Sequence, residues 1–403
     1  VAEATEFSPH EPDPRLAAMD FSSIDQAGVI EALDMLRDSG LRVASVPYGE
    51  GKAYVVLGYE AVERALANEV DLPASTYFRT FTLPLMGEVI SAQIGEEHRF
   101  HRGVFQKPLM AGRIRQKVGS VLRPVANRLI DAFASNLEVD FVSRFAIPYP
   151  FDVISALLGI PERDWERVRR DVGLLFHIWD PECELARDRV AAYLRELIEQ
   201  RRKNPGEDVI SEFARTELRG RRMTDAELLD EVRFLYPAAG GNTQNALALV
   251  LGYVLADPEL HRKVSSDPDA RQAAVDEALR IETPIPFMIR YTDRSVRIEC
   301  VDIPANSFVL IAISSANRDP ARFDAPGEFR LDRGALKHIT FGKGIHTCLG
   351  AHLARAELRV MLDLVLERLP GLRLGEDGFQ GGVGGPLHGP PVLKISYDAV
   401  LPG

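Results

Sequence analysis

Cys348 is the residue with the strongest chemical setting in this 403-residue chain. It stands in HITFGKGIHTCLGAHLARAEL, with Gly342, Gly344 and Gly350 around it and a strongly helical stretch just beyond. Glycines let a backbone come close to a flat cofactor and take dihedrals closed to other residues. A cysteine near a helix N-terminus has its thiolate favoured by the helix dipole and by free N–H groups. A sulfur placed in this way is a good ligand for iron. The other two cysteines, Cys183 and Cys300, lie too far off in sequence to build a disulfide framework or a clustered zinc site with it.

Three further groupings carry charge in useful places. In GEEHRFHRGVF, His98 and Arg102 are one helical turn apart, so both can point at the same anion, and Arg290 in FMIRYT adds another cation. In DEALRIETP, Glu277 and Arg280 share one helix face within reach of an ion pair. The segment MTDAELLDEVRFLYPAAGGNTQNALALVLGYVLA opens with a Thr224/Glu227 capping box and is long enough to cross a domain. Pro237, Gly240 and Gly241 fall in its middle, which predicts a bulge or kink beside a ligand.

Phe341, Gly342, Gly344, His346, Cys348 and Gly350, at these spacings, resemble the haem-ligand loop of the cytochrome P450 family, in its bacterial, soluble, ferredoxin-dependent form. The resemblance extends over nearly the whole chain. It implies haem b with Cys348 as the iron ligand, the thiolate pushing electron density onto the metal and favouring O–O cleavage. It also implies that Phe341 packs near the sulfur, that Gly342 and Gly350 let the loop pass the haem, and that His98, Arg102, Arg290 and His346 meet the propionates. Glu277 and Arg280 would fix the irregular stretch ANRDPARFDAPGEF. The family often has a basic residue where Glu328 stands, so Arg330 or Arg333 has to supply the third arm of that network.

The long helix departs from the family pattern. Relatives usually carry Ala/Gly-Gly-x-Asp/Glu-Thr at the kink, where acid and alcohol order water and deliver protons. Two registers are open here: Asn242 as the acid with Thr243 as the alcohol, or Gly241 in the acid position with Asn242 as the alcohol. The separations from Asn242 to Pro258 and to Glu277 favour the second, and Asn245 then falls where relatives often have asparagine. In that register Thr243 is a neighbour and not a relay. An amide can order a water but cannot titrate near neutral pH. Proton delivery must then be completed by a substrate group, by a water chain, or avoided by using peroxide.

The implied activity is oxidation of an apolar small molecule with O2 and electrons from a ferredoxin and its ferredoxin reductase. The alternatives are a peroxide-driven or otherwise atypical haem-thiolate enzyme, and a haem protein that binds ligands without turnover. By the same resemblance STYFRTFTLPLMGEV roofs the haem, with Tyr77, Phe78, Phe81, Leu85 and Met86 as candidate substrate contacts. Phe176, Trp179, Tyr236, Ile285, Phe287 and Leu387 complete the candidate pocket. Arg79, the one basic residue in the roof, leaves an acidic substrate open. Arg99, Arg113, Arg115, Lys117 and Lys343 form a candidate basic patch for an acidic ferredoxin.

The elements that must hold these residues follow from periodicity. GVIEALDMLRDSG reads as a helix stopped by Gly40, and RVASVPY and KAYVVLG as strands about a glycine turn. From about residue 59 to 279 apolar residues recur at three- and four-residue spacing, which predicts a mainly helical region. Beyond it come β-rich pieces (SVRIEC, SFVLIAI), the cysteine loop, a helix from about Leu349 to Leu369, and a terminal hairpin. The fold expected is mainly α with small β sheets, one domain over residues 1–403, the haem buried between the kinked long helix and the cysteine-loop helix. With 48 basic against 59 acidic residues the net charge is -11, which argues against nucleic acid or anionic membrane as partners. No apolar run long enough to span a bilayer and no signal-peptide pattern is present, so a cytoplasmic monomer is expected.

Overall fold

Residues 9–23, 25–175 and 182–403 are described by the structure, a computed structural model; the side chains of Pro84 and Leu85 are not. The elements that bear on function are, in chain order, α1 (Val29–Asp38), β1 (Val43–Tyr48), β2 (Gly51–Val56), α2 (Tyr59–Ala67), α3 (Gly95–Phe105), α4 (Pro148–Leu158), α5 (Glu182–Lys203), α6 (Asp225–Ala256), α7 (Pro268–Ile281), β3 (Met288–Tyr291), β4 (Phe308–Ile311) and α8 (Ala351–Arg368). Two compact units share them. The first gathers residues 1–77, 266–348 and 380–391, the second residues 78–265, 349–379 and 392–403.

The first unit is built on a four-stranded sheet in the order β1-β2-β4-β3. β1 and β2 form the antiparallel hairpin expected about Gly49 and Glu50, β2 runs parallel to β4, and β3 closes the edge antiparallel to β4. Side chains alternate across the sheet. Ala53, Val55 and Leu310 join Leu33 and Leu36 of α1 in one buried cluster, whereas Tyr54, Val56, Val309 and Ile311 join Val62 and Leu66 of α2 in another. Both faces are covered, which is why AYVV and FVLI read as unbroken apolar runs.

The second unit is helical and centres on α6. Its N-terminus carries the expected capping box: Thr224 Oγ1 accepts from Glu227 N at 3.2 Å, and Glu227 Oε2 accepts from Thr224 N at 2.7 Å. Pro237 and the glycine pair fall inside α6, which keeps its helical hydrogen-bond pattern through them as one 32-residue helix. Packing accounts for this. Tyr236, just before Pro237, is 1% exposed with its hydroxyl 2.5 Å from Ser155 Oγ on α4. Gly240, just after it, lies so close to Phe151 of α4 that a Cβ would come within 2.2 Å of the ring. Both sides of the proline are thus held by the same neighbour, and the lost backbone donor does not open the helix.

Two strand pairings were not legible in the helical pattern. A short hairpin joins Glu217–Leu218 to Arg221–Arg222. The terminal hairpin, Arg373–Leu374 with Lys394–Ser396, takes a third strand from Glu138–Asp140. Because Gly240 lies against a ring that cannot retreat without leaving the core, Gly240→Ala should destabilise the protein by about 1–3 kcal/mol. Urea denaturation measures this, and a second change, Phe151→Leu, should recover part of the loss.

Candidate active site

The cysteine loop is shaped from within and then tied down. Cys348 N donates to Phe341 O at 2.8 Å, which closes the loop, and Gly342 and Gly344 take φ of 75° and 78°, a region that favours glycine. At Gly344 a side chain would also meet the α2 backbone, with Ala67 Cα 3.2 Å from an ideal Cβ. Cys348 itself is exposed, and α8 begins three residues after it.

A buried polar network fixes the start of this loop. Asn317 Nδ2 donates to Thr340 Oγ1 at 2.8 Å, Asn317 Oδ1 accepts from Ile339 N at 2.9 Å, and Thr340 Oγ1 donates to Leu279 O of α7 at 2.7 Å. Asn317 is in turn held by Arg280, whose Nη1 donates to its carbonyl at 2.9 Å. Arg280 and Glu277 are both fully buried and paired at 2.6 Å. The third arm is Arg333: its Nε lies 2.8 Å from Glu277 Oε1. Arg330 gives only its backbone N–H to Glu277, and its side chain turns outward to Asp324 and Asp332. Glu328 contributes through its carbonyl, which accepts from Arg280 and Arg333.

Arg290 is also buried, at 2% exposure, but its bonds are of another kind. Its Nε and Nη1 donate to the neutral carbonyls of Leu72 and Ile289 at 3.1 Å each, and among the described residues no carboxylate is in ion-pair contact with it. Burial pushes the guanidinium down from its ordinary value, and Glu69 only partly offsets this. Glu69, which had no signal in the sequence, lies 3.5 Å from His346 Nε2. Burial raises its carboxyl, and His346 and Arg290 more than reverse that, holding it below the usual carboxylate range. Arg290 and His346 thus both face one carboxylate, and Glu69 Oε1 has no hydrogen-bond partner. An under-compensated buried cation fits the propionate expected there.

In the second unit His98 and Arg102 both lie on α3, with His98 buried. His101, on the same helix, is engaged elsewhere, 2.6 Å from Glu231 and 3.2 Å from Gln93. Glu97, His101 and Glu227 bring three possible metal-ligand atoms together, yet Arg221 already bonds both carboxylates and lies over the Phe100 ring at 4.2 Å. That cluster is a satisfied ion network.

On α6 the half-buried or exposed positions from 234 to 245 are Phe234, Leu235, Ala238, Ala239, Asn242, Gln244 and Asn245, and Phe234, Ala238, Asn242 and Asn245 repeat at helical spacing. The sequence pattern singles out Asn242 on this stripe and misses Phe234 and Ala238, because an alanine on a long apolar helix gives no signal. Asn242 Oδ1 is buried and has no hydrogen-bond partner. Gly241 and Thr243 beside it are buried.

The roof segment is helical where a loop was expected: Ala74–Tyr77, then a π turn at Phe78–Thr82, then Leu83–Met86. Phe78 meets Phe234 edge to face at 6.0 Å, Phe81 is 40% exposed, and Met86 packs on Leu175, Cys183 and Ala186. Tyr77 is half-buried, and Arg79 is exposed. Ile285 and Leu387 are half-buried. Two other candidate contacts have core partners instead. Tyr236 is bonded to Ser155 on α4, and Phe287 packs against Phe21 and α1. Phe176 and Trp179 lie outside the described residues, as does the side chain of Leu85.

The pattern of the cytochrome P450 family matches residues 174–370. The mycinamicin IV hydroxylase/epoxidase of Micromonospora griseorubida is 33% identical, the alignment covering 87% of this chain and 91% of that protein. The cytochrome P450 monooxygenase PikC of Streptomyces venezuelae is 31% identical over 81% of this chain and 80% of its own length. Among solved structures, a cytochrome P450 of Chondromyces apiculatus superposes with a TM-score of 0.85 at 26% identity, covering 93% of this chain and 96% of that one. The chain belongs to the cytochrome P450 family. It is accordingly a haem enzyme of the monooxygenase class. Glu277→Gln leaves two guanidinium groups without their carboxylate in a dry site, so it should cost about 3–5 kcal/mol in urea denaturation and lower the fraction of protein that retains haem.

Proposed function

We propose that residues 1–403 act as one catalytic domain that holds haem b through Cys348 and oxidises an apolar small molecule with O2, using electrons from separate redox proteins. The observation that carries this is the Cys348 loop, closed on Phe341 O and tied through Thr340 and Asn317 to a buried ion network. When bound, the haem supplies oxygen activation. Arg290, His346, His98 and Arg102 are the residues that the family resemblance assigns to the propionates. Phe234, Ala238 and Asn242, with Phe78 and Phe81, offer a mainly apolar surface for a substrate. The relative named as a mycinamicin IV hydroxylase/epoxidase favours a substrate from secondary metabolism.

Asn242 holds no titratable proton, and its unpartnered Oδ1 can accept from a water or from a donor on the substrate. This favours a relay completed by water or substrate over a peroxide-driven reaction. No described helix is long and apolar enough to cross a membrane. For the redox partner, Arg115 is exposed and Lys117 half-buried, whereas Arg113 pairs with Glu212, Arg99 with Glu96 and Lys343 with Glu63. The field available to a ferredoxin therefore rests mainly on Arg115 and Lys117.

Reduced protein with carbon monoxide should give the thiolate-type Soret band, and Cys348→Ala should lose it; retention of the band by that variant would overturn the assignment. Asn242→Thr should change the fraction of reductant that ends in product. An unaltered rate and coupling would remove Asn242 from the proton path.

A further inference from the structure

Two short segments of the first unit carry candidate substrate contacts. One leaves α7 through Glu282, Thr283 and Pro284 to Ile285; the other is the loop 380–391, with Leu387. Around both contacts the chain is buried: Glu282, Thr283, Pro284, Pro286, His388 and Gly389 all are, whereas Ile285 and Leu387 stay half-accessible. The forces that place those two aliphatic side chains are polar.

His388 Nε2 lies 2.7 Å from Glu282 Oε1, and the same oxygen accepts from Gly382 N. His388 N donates to Pro284 O at 2.9 Å. The loop is closed on itself by paired Val383 and Gly389 bonds of 3.1 Å, and on its other side Gly384 N donates to Gln26 O and Gly385 N to Ser23 O. Space is as tight as the bonding. A Cβ on Gly382 would stand 2.5 Å from His388 Nε2, and one on Gly385 would stand 2.3 Å from Phe21 O.

The ring has an acceptor on each side. Nδ1 is 3.2 Å from Gly384 O, and a carbonyl oxygen only accepts, so Nδ1 carries a proton there. Nε2 faces a carboxylate oxygen of Glu282. At 3% and 7% exposure, His388 and Glu282 are shielded from water. Loss of either leaves the other buried without its partner.

We propose that the Glu282–His388 pair is a clasp that fixes the separation of Ile285 and Leu387, and so sets the breadth of apolar substrate the enzyme admits. This rests on the monooxygenase reading above and names a determinant of its specificity. Both are positioning residues: they act through Ile285 and Leu387. The two segments lie about a hundred residues apart along the chain, and the clasp joins them beside the backbone bond from His388 N to Pro284 O.

The test compares wild type, Glu282→Gln, His388→Gln and the double variant as holoenzymes. Binding of imidazole, 4-phenylimidazole and a biphenyl-substituted imidazole is followed by the shift of the Soret band. Imidazole affinity should stay within about twofold, while the preference between the phenyl and biphenyl ligands should change by roughly fivefold or more, the order expected for a reshaped apolar pocket. The double variant should match the single ones, as coupled partners do. An unchanged preference in both single variants overturns the clasp. A change in stability alone would move thermal unfolding and leave that ratio where it was. Hydrogen exchange of wild type needs no haem spectrum: the Gly382 and His388 amides should exchange only on global unfolding, and fast exchange there also overturns the proposal. Absence of the thiolate band in wild type would strike at the haem reading instead, and the exchange result would still decide the clasp.

Discussion

Arg280 is a guanidinium with no access to water, and much of the first unit is arranged around that fact. A charge in such a place is tolerated only when nearly all of its donors are met. Its partners come from separate stretches: Glu277 on the same helix, and the carbonyls of Asn317, Pro326 and Glu328. Meeting them draws the irregular chain between Asn317 and Arg333 onto α7. Asn317, once held by its carbonyl, has its carboxamide left to fix Ile339 and Thr340. The cysteine loop therefore inherits its position from an ion pair that never touches a reactant.

Arg290 shows how the same residue type serves a different end. It is nearly as buried, yet its direct acceptors are neutral carbonyls and its charge is balanced only at a distance by Glu69. Arg280 is paired with a carboxylate within the fold, whereas Arg290 has only neutral acceptors in direct contact, which is what the proposed propionate role asks of it. Burial is alike in the two cases.

Much of this was legible in the sequence, for reasons that differ from residue to residue. The helices and the two-faced sheet follow from periodicity, and the cysteine loop from glycines at fixed offsets. Glu277 and Arg280 could be paired because they lie one turn apart on a helix. The choice between Arg330 and Arg333 could not be made, since no period governs an irregular stretch and both lie close in sequence to the network. Glu69, Asn317 and the Glu282–His388 pair were invisible for a related reason: each is defined by a partner far away along the chain. Tyr236 and Phe287 were read as pocket candidates because an aromatic residue near a site looks the same in sequence whether it faces the site or the core. Packing on Ser155 and Phe21 decides that.

The long helix joins these points. Pro237 and the glycines at 240 and 241 lie inside one continuous helix, where Tyr236 and Gly240 both pack against α4. Gly240 is therefore explained by contact with Phe151 without reference to a ligand. Gly241 and Asn242 then carry the functional departure by themselves: a position without a side chain, followed by an amide whose oxygen has no partner in the fold. On the function proposed above, a proton for the chemistry would pass through what occupies the space beside Asn242, whose amide can accept a hydrogen bond but holds no titratable proton.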